Sequence, residues 1–359
     1  MLDMTRLMDA LPKAYQKAVR STDGLIEVVV DLGRPLELRY TTGTERIDGL
    51  VPSDKELKHI LDRVSVFGAD NRSGIDGTLH RVSRIVNRTN DVVGLTMRVG
   101  RPFLGCVDII SDLLESGASF LVLGRPGIGK TTKLRDIARY LSSEAEKRVV
   151  IVDTSNEIAG DGNIPHEAVG FSRRLQVPLH RKQDEVMIEA VENHMPEVVI
   201  IDEISTYQET MACRTIAQRG VQLIATAHGR TFDDLMLNQP LWGLIGGIKT
   251  VTLSDSQAKQ RGCSKTVQER EMAPTFDAVV ELIEYDEVAI YPDMAECVDT
   301  LLRGGRVKPE RRRINGSQIE TVASCRLTLP TPPRETHEED HRRGRERTGK
   351  GTSSRDRRR

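Results

Sequence analysis

The chain has 359 residues, 38% of them hydrophobic, and a formal charge of −1, which is enough material for two ordinary domains with buried cores. Its longest apolar runs, such as residues 198–201, are far too short to cross a bilayer, and the N-terminus lacks the apolar stretch of a secretory signal, so neither a membrane span nor secretion is expected. Five scattered cysteines without a C-x-x-C pair argue against a disulfide framework and a zinc knuckle, and they fit a reducing compartment.

Residues 1–102 are predicted to form a small α+β domain. Gly33 and Pro35 interrupt its first β-type run, which is typical of a turn between two strands. Further along, apolar residues recur first at helical spacing and then in a β-type run. The expected elements are a hairpin over 25–40, helices over 54–67 and 75–85, and a strand over 92–99.

Arginines crowd the second half of this domain. They are interpreted either as ordinary surface residues or as contacts for a phosphate, a nucleic acid or a neighbouring subunit. The residues concerned are Arg72, Arg81, Arg84, Arg88, Arg98 and Arg101.

Over residues 103–305 the pattern changes to alternating apolar strands and amphipathic helices. This alternation predicts an α/β domain with a mainly parallel sheet. Strands are expected over 119–123, 148–153, 197–202 and 221–225, and helices over 109–114, 130–141, 184–193 and 208–219. Weaker strand patterns over 249–253, 278–284 and 288–292 are expected to extend or flank the sheet.

Residues 306–359 form a basic segment that the near-neutral total charge conceals. They contain 16 Lys and Arg against 8 Asp and Glu, with few apolar residues. Such a composition does not bury enough apolar surface to order itself, so we expect a disordered basic tail. The tail is interpreted either as a solvated extension or as a tether for nucleic acid or an acidic partner. It contains the triplet Arg311, Arg312 and Arg313.

A complete phosphate-binding loop lies between a predicted strand and a predicted helix. It consists of Gly124, Arg125, Pro126, Gly127, Ile128, Gly129, Lys130, Thr131 and Thr132. The glycines let the backbone turn tightly and point successive N–H groups at an anion. Lys130 is predicted to reach the β- and γ-phosphates of ATP, and the Thr131 hydroxyl to bind Mg²⁺. Thr132 extends the helix start, whose positive dipole end faces the phosphates.

About seventy residues later an apolar strand ends in two acids, Asp202 and Glu203. Because the carboxyl ends of parallel strands meet at one edge of a sheet, this strand brings its acids to the phosphate loop. Asp202 is predicted to hold the hydrated Mg²⁺, and Glu203 to polarise the attacking water. The two motifs together indicate ATP hydrolysis.

Two further strand ends carry polar residues, at 153–157 and 225–229. They are interpreted either as turns with capping side chains or as parts of the site. In the second interpretation Glu157 and His228 face the γ-phosphate, and His228 reports the nucleotide state through a hydrogen bond. A metal-ligand role for His228 is not expected without a second histidine at usable spacing.

An arginine is expected to complete the site, because phosphoryl transfer spreads negative charge over the γ-phosphate oxygens. In an assembly this residue can act across a subunit boundary. The sequence does not choose among the candidates Arg173, Arg174, Arg214 and Arg219.

Taken together, these motifs resemble a known group, the plastid and cyanobacterial P-loop ATPases related to the stage III sporulation protein AA. That group is itself similar to the secretion and pilus motor ATPases. The resemblance covers about residues 10–305 and rests on 124–132, 151–162, 191–197, 202–203 and 225–229. It implies a RecA-like core, a homo-oligomer with a hexameric ring among the expected forms, and a location in the plastid stroma or the bacterial cytoplasm. It also implies that Glu157, in an acidic box, and His228, in a histidine box, act at the γ-phosphate.

Three functions follow as hypotheses. The first is a motor or remodelling ATPase, and the second is an ATP-dependent switch or assembly factor with little turnover. The third is a nucleic-acid-stimulated ATPase that uses the basic tail and the N-terminal arginines. Some relatives carry a C-terminal single-stranded nucleic-acid module, and this sequence has only the basic segment there. No transit peptide is recognised, which leaves an organelle-encoded or bacterial protein, or a nuclear-encoded one shown in truncated form.

Overall fold

The structure, a computed structural model, describes residues 2–316 and 318–328. Its N-terminal part is a six-stranded antiparallel sheet in the order β3-β2-β1-β6-β5-β4. The elements are α1 (Leu2–Ala10), α2 (Lys13–Ala18), β1 (Leu25–Asp31), β2 (Leu36–Tyr40), β3 (Gly43–Ile47), α3 (Asp54–Leu61), β4 (Arg72–Gly74), β5 (Arg81–Val86) and β6 (Val92–Arg98).

Local sequence explains most of this part. Strands β1 and β2 form the expected hairpin, and Gly33 in its turn takes a φ of 72°. Helix α3 begins at a capping box in which Ser53 and Glu56 satisfy each other's backbone N–H groups. Its apolar face packs on one core shared with the sheet and with α1.

The helix predicted over residues 75–85 is wrong. Apolar residues such as Ile75, Leu79 and Val82 recur there at intervals that also suit a helix. Gly77 instead adopts a φ of 67° and turns the chain, and β5 pairs with β6 along its whole length. Pairing with the next strand along the chain therefore overrides the helical periodicity.

The remaining elements build a nine-stranded sheet in the order β18-β17-β15-β14-β7-β11-β10-β8-β9, with helices on both faces, and two separate two-stranded sheets, β12-β13 and β16-β19. They are α4 (Ser111–Ser116), β7 (Phe120–Gly124), α5 (Lys130–Arg139), β8 (Val149–Asp153), β9 (Arg173–Gln176), α6 (Gln183–His194), β10 (Val198–Ile204), α7 (Tyr207–Gln218), β11 (Gln222–Ala227), α8 (Phe232–Leu237), β12 (Ile248–Thr252), α9 (Asp255–Arg261), β13 (Thr266–Arg270), β14 (Ala278–Glu284), β15 (Glu287–Tyr291), α10 (Met294–Leu302), β16 (Arg306–Lys308), β17 (Glu310–Asn315), β18 (Gln318–Ala323) and β19 (Arg326–Thr328).

Five of the eight strand pairings in this sheet are parallel, from β14 through β7, β11, β10 and β8 to β9. Every residue of β7, β8 and β11 is buried, because helices cover both faces of these strands. The parallel strands therefore bring their carboxyl ends to one edge. Strand β11 lies between β7 and β10, so the two predicted motifs flank its end. Strands β14 and β15 extend the sheet, whereas β12 pairs with β13 as a separate hairpin.

The predicted disorder is wrong for residues 306–316 and 318–328, which contain four strands. Strand β17 pairs with β15, and Arg311 and Arg313 each pair with one oxygen of the buried Glu287 carboxylate. Arg312 points to the other face and forms a bidentate pair with Asp112 at 2.6 and 2.7 Å. The triplet is ordered because buried or nearby acids neutralise it. Residues 329–359 of the predicted tail lie outside the described residues.

The domain boundaries at residues 102 and 305 stay a prediction. The six-stranded sheet precedes residue 102 in the chain, and the nine-stranded sheet follows it. Among the helices of the described residues, none is both long and apolar enough to cross a membrane.

Candidate active site

The phosphate loop joins the end of β7 to the start of α5. Its glycines Gly124, Gly127 and Gly129 adopt φ values of 150°, 78° and 106°, which other residues rarely do. A Cβ on Gly124 would lie 3.0 Å from the side chain of Ile128, so this position also lacks room. The loop backbone is thus free to wrap an anion at the N-terminus of α5.

Lys130 begins α5, and its Nζ donates to the Gly124 carbonyl at 2.7 Å, folding the side chain back over the loop. Burial lowers the pKa of its ammonium group, and the carboxylates of Glu203, Asp202 and Glu157 oppose that shift. A half-buried cation folded over this loop is suited to a phosphate.

Asp202 lies on β10 and is 8% exposed. Burial, reinforced by the charge of Asp153, raises the pKa of its carboxyl to about 7, against the hydrogen bond that it accepts from Thr226. The Thr226 hydroxyl donates to Asp202 Oδ1 at 3.0 Å and accepts the Glu203 N–H at 2.7 Å. This single threonine of β11 therefore orients both acids.

Glu203 stands in a bulge, where the pairing of β10 with β11 is irregular between Ile201 and Ile204. Its φ of 52° is uncommon for a residue with a side chain, and the bulge turns that side chain out of the sheet. Its Oε1 lies 3.3 Å from His228 Nδ1, and both side chains are mostly exposed. The two residues thus form a pair that faces solvent beside the loop.

Glu157 lies on the other side of the loop. The Thr131 hydroxyl is 3.5 Å from Glu157 Oε2, and the Arg81 guanidinium of β5 donates to Glu157 Oε1 at 3.1 Å. Arg81 also donates to Asp161 at 3.3 Å. Burial raises the pKa of Asp161 to about 6, and the charge of Arg81 opposes that shift. An arginine of the N-terminal sheet thus enters the site.

The end of β8 forms a turn whose Glu157 side chain reaches the phosphate loop. The buried Asp153 carboxylate accepts the backbone N–H groups of Glu157, Ile158 and Ala159 at 3.0, 3.1 and 2.9 Å. Arg135 of α5 donates to the carbonyls of Glu157 and Ile158, both at 2.6 Å. Asp153 is therefore used in shaping the turn, whereas the Glu157 carboxylate faces Thr131 and pairs with Arg81.

The same connection packs tightly against the N-terminal sheet. A Cβ on Gly160 would lie 2.2 Å from the Thr78 carbonyl oxygen, and a Cβ on Gly162 would lie 2.6 Å from the Asp76 Cα. The Asn163 N–H donates to Asp76 Oδ1 at 2.6 Å. Only glycines permit this approach of two backbones.

A cleft of about 250 Å³ lies between the N-terminal sheet and the phosphate loop. Arg81, Arg98 and Arg101 line it from one side, and Thr131 and Thr132 line it from the other. Three of the six arginines grouped in the second half of the N-terminal domain therefore line the cleft beside the loop. Of the others, Arg84 lies over the Phe67 ring at 4.8 Å, and Arg72 pairs with Asp70 at 3.6 Å, both within the N-terminal part.

The four arginines predicted to complete the site are not brought to the loop of their own chain. Arg173 and Arg219 lie at the amino ends of β9 and β11, the opposite edge of the sheet. Arg174 donates to the carbonyls of Gly160, Gly162 and Asn163 and so supports the β8–β9 connection. Arg214 is half-buried on α7. Arg81 is the arginine that contacts a carboxylate of the site, Glu157. In the sequence it was one of six N-terminal arginines with no individual role predicted.

The donor set fits ATP with Mg²⁺. Mg²⁺ prefers hard oxygen ligands and is usually bound by one or two side chains together with substrate phosphates, and Thr131 and Asp202 supply such oxygens. Within the residues that the structure describes, no cluster of three or more His, Cys, Asp or Glu side chains is placed to hold a metal ion.

Two residues of this arrangement escape sequence reasoning. Thr226 is a lone hydroxyl in the buried run of β11, and that polar interruption was the available signal. Asp161 follows Gly160, but its partner is Arg81, eighty residues away in the chain. Neither the contact of Thr226 with Asp202 nor that of Asp161 with Arg81 can be predicted from residue spacing along the chain.

The fold is similar to one already solved. A structure of the pilus retraction motor PilT with bound ADP superposes with a TM-score of 0.50 at 12% identity, covering 89% of this chain and 82% of that one. The sequence then names the family. A model of the family described as "Sporulation stage III, protein AA" matches residues 36–251, so the chain belongs to that family, and the resemblance expected from the motifs is confirmed.

Two curated relatives are similar over most of the chain. The ycf45 protein of Porphyra purpurea is 49% identical over 315 residues, which are 87% of this chain and 56% of the relative. The protein SEEDLING PLASTID DEVELOPMENT 1 of Arabidopsis thaliana is 48% identical over 341 residues, 94% of this chain and 49% of the relative. The chain therefore spans about half the length of these two relatives.

Proposed function

We propose that this chain binds ATP with Mg²⁺ and hydrolyses it to ADP and phosphate, as a motor or remodelling ATPase. The observation that carries the proposal is the convergence of Lys130 and Thr131 at the start of α5 with Asp202 and Glu203 at the end of β10. The fold shared with the pilus retraction motor supports it.

Each residue has a role that its position supports. The backbone of residues 124–132 and the Lys130 ammonium bind the phosphates, and Lys130 exchanges its bonds to loop carbonyls for phosphate oxygens. Thr131 and Asp202 hold Mg²⁺, which when bound offsets the charge that develops on the transferred phosphoryl group. Glu203 orients and polarises the attacking water.

Around this centre two further residues sense the γ-phosphate. His228 holds the Glu203 carboxylate at 3.3 Å and is placed to exchange that bond for a phosphate oxygen. Glu157 lies between the Thr131 hydroxyl and Arg81, so a change at the cation site reaches the N-terminal sheet through one side chain. Arg81 supplies positive charge beside the loop within the same chain.

The test is the Glu203→Gln variant, in which steady-state phosphate release is expected to fall at least a hundredfold while the ATP dissociation constant changes less than threefold. Lys130→Ala is expected to lose ATP binding itself. Glu197→Gln, an exposed acid just before β10 at the amino edge of the sheet, is the matched control and retains activity. Wild-type protein that binds ATP without turnover in any oligomeric state would leave the ATP-dependent switch as the function.

We also propose a homo-oligomeric ring, with a hexamer as the form to test. Arg173 and Arg219 at the far edge of the sheet are placed to serve a neighbouring copy rather than their own loop. Light scattering with and without ATP measures the mass, and a strictly monomeric particle under active conditions contradicts the ring.

A nucleic-acid-stimulated ATPase is the less favoured alternative. Arg311, Arg312 and Arg313 are engaged by Glu287 and Asp112, which removes this basic triplet from such a role. Phosphate release that rises with single-stranded DNA or RNA, and less so at higher salt, would favour this alternative.

We propose the plastid stroma, or the bacterial cytoplasm, as the location. The name of the Arabidopsis relative supports a plastid role. Cell fractionation followed by immunodetection tests it, and recovery in a different compartment contradicts it.

A further inference from the structure

Three large apolar side chains are exposed together beside the phosphate loop. Phe103 is 54% exposed, Tyr285 is 50% exposed and Leu104 is 58% exposed. The two aromatic rings lie edge to face, with centroids 6.0 Å apart and planes at 66°. Both rings stay about half exposed, although burial of aromatic rings contributes more to stability than burial of most side chains.

Tyr285 is held close to the loop. It follows the carboxyl end of β14, the strand that pairs with β7, and its Cδ2 lies 3.9 Å from the position of a Cβ on Gly129. Arg125 of the loop pairs with Glu284 at 2.9 Å, next to Tyr285 in the chain. The β14–β15 turn and the loop therefore meet at this ring.

Phe103 is held by a different route. Three residues further on, the Cys106 N–H donates to the buried Asp136 carboxylate at 2.7 Å, and the Lys133 ammonium donates to the Cys106 carbonyl. Lys133 and Asp136 both belong to α5, the helix that starts in the phosphate loop. The segment that carries Phe103 and Leu104 is thus anchored to the first two turns of that helix.

The direction of a bound nucleotide follows from the sheet order. Asp202 and Glu203 lie on the β11–β10 side of the loop, and Tyr285 lies on the β14 side. A triphosphate whose terminal phosphoryl group faces the acids extends its other end away from them, towards the aromatic pair. At that end ATP carries a flat base, which stacks on aromatic rings.

We propose that Phe103, Leu104 and Tyr285 form the subsite for the nucleobase of the nucleotide whose phosphates the loop holds. This inference rests on the proposed function, because it needs the phosphates in the loop. In this subsite Tyr285 and Phe103 determine the preference for a nucleotide over a bare polyphosphate. Different bases are expected to bind similarly, because every base has a π-face that can stack on a ring.

The experiment compares ATP with inorganic tripolyphosphate by titration calorimetry in the presence of Mg²⁺. Tyr285→Ala and Phe103→Ala are each expected to weaken ATP binding about tenfold and to leave tripolyphosphate binding unchanged. Tyr285→Phe keeps the ring and should bind as wild type. Phe171→Ala is the matched control, because Phe171 is 84% exposed and precedes β9 at the opposite edge of the sheet.

The outcomes separate this inference from the proposed function. Wild-type protein that binds neither ATP nor tripolyphosphate removes the proposed function itself. Normal ATP affinity in both alanine variants overturns the base subsite while ATP binding stands. An equal loss of affinity for both ligands also overturns the subsite, because a contact to the base affects ATP alone.

Discussion

At the scale of single residues, the site depends on a carboxyl group held in an unfavourable environment. Asp202 is buried near Asp153, and its charge is opposed until a cation arrives. Thr226 is the residue that keeps it oriented in the meantime. Both features suit a ligand that is bound and released with each nucleotide.

The pKa of Asp202, raised to about 7, predicts a pH dependence. The protonated form predominates below pH 7 and binds no Mg²⁺, so Mg²⁺-dependent ATP affinity should be about tenfold weaker at pH 6 than at pH 8. Calorimetric titrations at both pH values measure this change. Asp202→Asn corrects for the titration of ATP itself, since its affinity should vary less with pH; an equal dependence in both proteins would contradict the prediction.

The same carboxyl predicts a stability effect with a definite sign. Because its folded-state pKa lies above the usual value, its contribution to stability is present at low pH and is lost as pH rises towards 7. Asp202→Asn, which keeps an acceptor for Thr226, should therefore unfold several degrees higher than wild type at pH 8. Thermal unfolding followed by circular dichroism at pH 5 and pH 8 tests this, and a gain that is the same at both pH values speaks against it.

Thr226→Val removes the hydroxyl that joins Asp202 to the Glu203 N–H, with little change of shape. Phosphate release is expected to fall about tenfold or more while ATP binding is retained, and the free energy of unfolding to fall by about 1–2 kcal/mol. Thr226→Ser keeps the hydroxyl and is the control for packing. Full activity in the valine variant would show that the bridge has no catalytic consequence.

At the scale of elements, the β8–β9 connection joins the site to the N-terminal sheet. Its first part is shaped by Asp153 and carries Glu157, and its second part meets residues 74–78 through glycines. Strand β9 beyond it is short and carries two arginines, so its sequence has no strand pattern of its own. It is a strand because β8 offers a free edge, which is a tertiary cause.

Gly160→Ala tests this joint. Gly160 has a φ of 92° and an added Cβ would lie 2.2 Å from the Thr78 carbonyl, so the expected loss of stability is about 2 kcal/mol or more. Gly262→Ala is the matched control, because its φ is 62° and an added Cβ meets nothing within 4 Å; it should cost about 1 kcal/mol. Urea unfolding of both variants gives the comparison. Equal losses would mean that the close approach carries no energetic weight.

At the scale of the whole molecule, strands β17 and β18, which lie beyond residue 305, extend the nine-stranded sheet. Strand β17 covers the edge of β15, and Arg311 and Arg313 enclose the buried Glu287 carboxylate. Net charge over a segment therefore says little about its fold when the neutralising acids lie elsewhere in the chain.

Glu287→Ala should destabilise the protein by about 2 kcal/mol, because it leaves two arginines without their shared acid. Glu320→Ala on β18, whose exposed carboxylate accepts a hydrogen bond from Asn315, is the control and should cost less than about 0.5 kcal/mol. Chemical denaturation measures both. Indistinguishable stabilities would contradict a structural role for the arginine triplet.

The sequence by itself determined the parts of this protein whose meaning is local. The loop at 124–132 and the pair Asp202 and Glu203 are recognisable because their chemistry requires fixed residue types at fixed spacing, and the buried strands around them because long apolar runs have few other uses. Only the tertiary structure decided that Arg81 meets Glu157, that Thr226 joins the two acids, and that β9 and β17 are strands. These depend on which distant segments become neighbours, and in each case the contact energy comes from a partner that local spacing does not encode.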